Sequence, residues 1–252
     1  MISYRNRSKN LQLLWAVFLF FVLPATGFGQ AAASSADPFQ PGTQNIDARI
    51  FRTINNAQSG FKTSVLGVTD NSALPIAVAL PAGLAGYGLV ANDDESFDTG
   101  VLMGGSEALS YAVCYVLKIG IKRERPYHAL SNVYTHHLDS TDPYSFPSGH
   151  STGVFAIATM LALRYPKPAV YIPAFAWAAM VGYGRIYFGL HYPGDVLAGA
   201  LLGAGGSLLV HAYEGKILPP IRKLIGLKGN SNTSALILPT DRGGVVLVSV
   251  GF

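Results

Sequence analysis

Eight residues stand out in this chain because they interrupt or terminate long apolar segments: Lys118, Arg125, Ser148, Gly149, His150, Arg185, His191 and Asp195. They fall into three clusters, Lys118-IGIKRE-Arg125-Pro126, Pro147-Ser148-Gly149-His150 and Arg185-IYFGL-His191-YPG-Asp195. Three cations gathered at one place are costly unless an anion sits among them. Phosphate, with its several acceptor oxygens, suits two arginine forks and a lysine point charge. Ser148 and Gly149 open a helix, so their backbone N–H groups and the helix dipole favour the same anion. An imidazole that donates one nitrogen to a carboxylate keeps the other free to attack, and His191 with Asp195 four residues later supplies that pairing. His150 is then the general acid for the departing alkoxide and, in reverse, the base for water. Phosphoryl transfer asks mainly for in-line positioning and charge neutralisation, so these cations can do what a metal does elsewhere, and the chemistry requires no metal or cofactor.

The clusters can act together only if the chain brings them together. Five strongly apolar segments, about 74–91, 99–119, 150–164, 168–189 and 195–213, are each long enough for a buried or bilayer-spanning helix. Asn92-Asp93-Asp94-Glu95 separates the first two and Arg164-Tyr165-Pro166-Lys167-Pro168 the third and fourth, and both are short enough to force antiparallel reversals. In such an alternating bundle the end of one helix, the start of the next and the following end-and-start pair all lie at one end. The three clusters therefore converge. The glycines and alanines within the segments suit close helix approach in lipid. Ahead of them, Asp47 is placed to cap an amphipathic helix carrying Ile50, Phe51 and Ile54, and a second, weaker helix covers Phe61 to Val68.

Composition agrees with a membrane setting. Half of the 252 residues are hydrophobic and 13% are charged, against roughly 25% charged in an average soluble domain. Residues 1–31 read as a signal peptide or a first membrane helix: Arg5, Arg7 and Lys9, the run Leu11 to Leu23, then Pro24 and small residues to Ala31. Without those three cations fifteen basic residues face fourteen acidic ones, with no basic stripe, which argues against a nucleic-acid partner. The single cysteine, Cys114, excludes an intramolecular disulfide and a cysteine metal site, and its apolar surroundings mark it as core. Residues 32–46 read as a linker, 47–213 as the helical domain, and 214–252 as a basic tail in which the alternating Val245–Val250 stretch fits a short strand or hairpin.

In order and spacing the three clusters resemble the three signature motifs of the type 2 phosphatidic acid phosphatase superfamily (PAP2), which also contains bacterial acid phosphatases and vanadium haloperoxidases. The likeness covers about residues 47–213. It implies an all-α, antiparallel helical bundle, membrane-embedded and preceded by a signal segment. It further implies a phosphatase acting on lipid-linked phosphate, in which Lys118, Arg125, Ser148, Gly149 and Arg185 bind phosphate, His150 is the acid, and His191 with Asp195 forms the nucleophile pair. One position departs from the pattern: the third motif usually has Ser before its arginine, and this chain has Gly184. Alternatives within the resemblance are a secreted, soluble acid phosphatase in the periplasm and a vanadate-dependent haloperoxidase, for which the chain is short. Outside it stands a lipid-phosphate binding or transport protein without turnover.

Taken singly, each motif residue has an ordinary explanation: histidines and lysines at helix ends serve the dipole, and Asp195 can simply cap a helix. Those explanations do not account for the three clusters sharing one end of the bundle. Lys122, Arg123 and Glu124 read as surface or headgroup-facing charges, and His128, His136 and His137 as solvated loop histidines. Asp139, Asp142 and Tyr144 receive no role. Arg164, Lys167 and the Lys216–Lys228 tail fall at the end opposite the motifs; basic short loops mark the cytoplasmic side, so the site is expected to face the periplasm or exterior.

Overall fold

The computed structural model describes residues 45–135 and 142–225 and the backbone of 233–239 and 245–251. The expected signal segment, nearly all of the linker, and His136, His137 and Asp139 lie outside the described residues. The chain divides after Tyr213 into two compact units. The second contains helix α8 (Glu214–Leu224) and an antiparallel hairpin of β1 (Thr233–Pro239) and β2 (Val245–Gly251), with Thr233 opposite Gly251 and Pro239 opposite Val245.

The first unit is helical in all its described regular elements: α1 (Ile46–Asn55), α2 (Gly60–Ala91), α3 (Asp94–Ile121), the single turn α4 (Pro126–Ala129), α5 (Gly149–Arg164), α6 (Pro168–Tyr187) and α7 (Pro193–Ala212). Helix α1 starts one residue before Asp47, and its cap is Asn45, whose side chain accepts from Ala48 N–H at 2.9 Å. Phe51 is buried against Ile186 and Tyr192, anchoring the apolar face of α1 on the bundle. Its polar face is used as well. Arg52 donates to the carbonyls of Ser131 and Asn132, and Asn55 exchanges hydrogen bonds with the Tyr134 backbone and donates to Tyr187 O.

Two separate helices were expected over 61–68 and 74–91, yet α2 runs unbroken through the polar stretch Thr69-Asp70-Asn71-Ser72 and through Pro75 and Pro81. The polar side chains are satisfied without leaving the helix. Thr69 Oγ1 donates to Val65 O, Ser72 Oγ donates to Thr69 O and accepts from Trp177 Nε1, and Asp70 reaches Arg185. Prolines are tolerated in long apolar helices when neighbouring groups take over the freed carbonyls.

Reversals follow the predicted pattern. Asn92 closes α2 in the left-handed conformation, and Asp93 caps α3 through Glu95 N–H and Ser96 N–H. Pro168 and Pro193 each occupy the first turn of the helix they open, where a missing N–H is harmless. Helix α5 lies at the centre, packed on α3, α6 and α7. Its seam with α7 needs Gly199 and Gly203, because a Cβ there would meet Ser148 O at 2.4 Å and Thr152 O at 2.1 Å. Helices α2, α3 and α7 are long and apolar enough to cross a bilayer. At 16 residues α5 is shorter than a span of about 20. Val68, Val78, Val90, Tyr115, Val116, Ile172 and Leu197 project outward from α2, α3, α6 and α7, an apolar exterior suited to lipid.

Candidate active site

The alternation of α3, α5, α6 and α7 brings the three clusters to one end of the bundle. Lys118 lies in the last turn of α3, Arg125 just beyond it, Ser148 at the N-cap of α5 with His150 in its first turn, Arg185 in the last turn of α6, and Asp195 in the first turn of α7. His191 sits in the reversal between α6 and α7. That reversal turns on Gly189, whose φ of +75° and whose Cβ position, 2.5 Å from Tyr134 O, admit only glycine. His191 N–H then returns to Arg185 O at 3.2 Å, tying the histidine to the end of α6.

Hydrogen bonds fix the state of the His191 ring. Nε2 lies 3.2 Å from Arg125 Nη1, and a guanidinium only donates, so Nε2 is the accepting, lone-pair nitrogen. Nδ1 carries the proton and donates to Ser145 O at 2.7 Å. The expected partner of Nδ1 was Asp195, but its Oδ2 is 3.6 Å away, beyond a hydrogen bond. A main-chain carbonyl therefore holds the tautomer. Ser145 is itself placed by pairing with the first cluster, its N–H donating to Arg123 O and its Oγ to Glu124 O. Burial, then the cations Arg185, Arg125 and Lys118, push the His191 imidazolium well below its ordinary pKa, so the ring is neutral at physiological pH.

The cations converge around this ring. Arg125 is 3% exposed and gives Nη1 also to Leu190 O and Nε to Asp142 O. Lys118 Nζ donates to Tyr144 O at 2.8 Å and pairs with Asp142 Oδ2 at 2.9 Å; the same carboxylate oxygen is 3.6 Å from Arg125 Nη2. Burial opposes charge on Asp142, but the bonds from Lys118 and Tyr144 N–H outweigh it and hold its pKa down. Asp142 thus presents an anionic oxygen to two of the predicted phosphate ligands. Arg185 Nη1 pairs with Asp70 Oδ2 at 2.8 Å, while its buried Nε has no hydrogen-bond partner among the described residues, leaving donor capacity for an anion. His150 lies within electrostatic reach of Arg185, His191, Arg125 and Lys118.

Two expectations need correction. Ser148 N–H does not point to an anion: it donates to Asp195 O at 3.0 Å and so ties α5 to α7, while Ser148 Oγ accepts from Ser151 N–H at 3.4 Å. Arg123 is not a headgroup-facing charge; its guanidinium donates at 2.7 Å to both Asp195 and Asp47. Lys122 and Glu124 are exposed as expected. At Gly184 a Cβ would lie 3.8 Å from its nearest neighbours, ordinary contact, so the backbone leaves room for a serine Cβ there. Of the partners the motifs do not contain, Asp70 gave only a weak signal, an acid in the polar break between two apolar segments. The Ser145 carbonyl had none.

An antiparallel bundle with a cationic, histidine-bearing cluster at one end defines the class. A PAP2 superfamily model matches residues 99–218. Phosphatidylglycerophosphatase B of Bacillus subtilis is 30% identical over 215 residues, 80% of this chain and 95% of that protein. The crystal structure of a transmembrane PAP2-type phosphatidylglycerolphosphate phosphatase from B. subtilis superposes with a TM-score of 0.59 at 27% identity, covering 82% of this chain and 98% of that one. A decaprenylphosphoryl-5-phosphoribose phosphatase of Mycobacterium tuberculosis is 32% identical over 117 residues, 46% of this chain; the match spans about three fifths of that relative, 61% of its length. The chain belongs to the PAP2 superfamily.

Proposed function

We propose that this protein is a membrane phosphatase that removes phosphate from lipid-linked monoesters or pyrophosphates through a phosphohistidine on His191. The observation that carries the reading is the tautomer: Nδ1–H is committed to Ser145 O, and the Nε2 lone pair faces Arg125 among Lys118, Arg185 and His150. When substrate arrives, its phosphate oxygens take over the donors of Lys118, Arg125 and Arg185, and phosphorus comes within reach of Nε2. The Nε2–P bond forms as the P–O bond to the leaving alcohol breaks. His150, protonated once the negative charge of the substrate offsets the burial and the cations around it, gives that proton to the departing oxygen, then removes one from the water that splits phosphohistidine. The three cations spread the transition-state charge, so no divalent ion is needed in this reading.

The apolar exterior of α2, α3 and α7 and the lipid-phosphate names of the relatives favour a lipid substrate over a soluble phosphoester. Arg164 and Lys167, at the reversal opposite the site, favour a site facing the periplasm or exterior. Detergent-purified protein, assayed with chelator against phosphatidylglycerol phosphate, phosphatidic acid, isoprenyl pyrophosphate and water-soluble phosphoesters, tests this. Release of phosphate from one or more of the lipids without divalent metal is expected. Turnover confined to soluble esters, or dependent on added metal, would refute the reading.

A further inference from the structure

Arg123 belongs to no signature position, and Asp47 lies outside the residues that the family model covers. Together they nevertheless grip the segment that carries His191. Arg123 Nη1 donates to Asp195 Oδ1 and Nη2 to Asp47 Oδ2, both at 2.7 Å, and the guanidinium lies 4.0 Å over the ring of Tyr192. The other Asp47 oxygen accepts Gly194 N–H at 2.7 Å, and Asp195 Oδ2 accepts Tyr192 N–H at 2.8 Å. Tyr192, Gly194 and Asp195, three of the four residues after His191, are thereby fixed from two sides. A planar fork bridging two carboxylates is work a lysine cannot duplicate.

We propose that Arg123, anchored by Asp47, is a positioning residue for His191, so that helix α1 completes the active site. The inference rests on the reading of His191 as nucleophile. Asp195 is 0% exposed and 3.6 Å from Nδ1. Sharing its charge with Arg123 weakens its pull on the ring and leaves Nδ1–H to Ser145 O. The groups that act most on His191 are Arg125 and Lys118 from the first cluster and Arg185 from α6, with His150 of α5 beside them, while the Asp142 carboxylate pairs with Lys118 and Arg125. The three cations disfavour imidazolium. Removing Arg123 exposes the ring to an uncompensated carboxylate, which favours imidazolium and moves the acid limb of activity to higher pH.

The test compares full-length Arg123→Gln, Arg123→Lys, Asp47→Asn and His191→Ala in detergent by kcat, KM, acid limb and melting temperature. Arg123→Gln is expected to lower kcat about 10–100-fold with KM little changed and the acid limb raised. Arg123→Lys, which keeps charge but not the bridge, should lower kcat while leaving the limb in place; Asp47→Asn should lower it less. If Arg123→Gln does not fold, Asp47→Asn and Gly194→Ala decide, since a Cβ at Gly194 would lie 3.0 Å from Asp47 Oδ2. Unchanged kcat in both, or a loss in Arg123→Gln that tracks melting temperature with the acid limb unmoved, overturns the proposal. An inactive His191→Ala beside a wild-type-like Arg123→Gln removes the positioning role alone; an active His191→Ala removes the nucleophile and the positioning role together.

Discussion

The two ends of the bundle use the same residue types for opposite purposes. At the α2–α3 reversal, the Asp93 carboxylate accepts from groups two and three residues away, Glu95 N–H and the Ser96 amide and hydroxyl. At the active-site end, Asp195 is fully buried and held by Arg123, 72 residues distant in sequence, and Arg185 is paired with Asp70, 115 residues distant. The first end solves a local problem, satisfying the open N–H groups of one helix. The second spends burial and desolvation on holding charges against one another, the arrangement found where a charged ligand enters the balance. Charge near a helix end is therefore uninformative by itself, and long-range pairing of buried charge is what distinguishes a site.

Substitutions at the two ends should separate accordingly. Arg125→Ala removes the guanidinium that contacts Nε2 of His191 and donates to Leu190 O, and kcat/KM should fall about 10²–10³-fold; a fall smaller than tenfold would dissolve the contrast. Asp70→Asn strips Arg185 of its ionic partner, and turnover should drop about 10–100-fold with little change in the folded fraction. Next comes pH. Because burial and the three cations hold the His191 imidazolium below 6.5, the unfolded chain binds more protons than the folded one, so folding stability should rise with pH up to that value. Urea melts of wild type and His191→Gln should differ in slope below pH 6.5, the variant being flatter, and parallel curves would contradict a neutral buried ring. The smallest effect belongs to the opposite end: Asp93→Ala should lower the melting temperature slightly and leave kcat unchanged.

The bundle and the convergence of its three motif clusters were legible in sequence because both rest on one-dimensional signals. Apolar segment length and short reversals gave the helices, and alternation alone predicted that Lys118, His150, Arg185 and Asp195 meet. The continuity of α2 was hidden, since Thr69, Asp70 and Ser72 look like a break until Trp177 and Arg185 are there to receive them. The support of His191 was hidden for a different reason. Spacing of four residues made Asp195 the obvious partner, whereas the ring donates to a main-chain carbonyl, and every residue has one. Asp47 was legible as helix-terminal but not as a ligand of Arg123, a contact that depends on how α1 docks. Residue type and spacing locate such a site; who holds whom inside it is decided by packing.

The central claim is that Nε2 of His191 attacks phosphorus. Rapid mixing with a lipid phosphate, alkaline quench to preserve phosphoramidate, and peptide mass spectrometry with ³¹P NMR of the labelled peptide would test it directly. Phosphate on Nε2 of His191, absent in His191→Ala, is the predicted result. Phosphate on Nδ1, on His150 or on any other side chain would contradict the account.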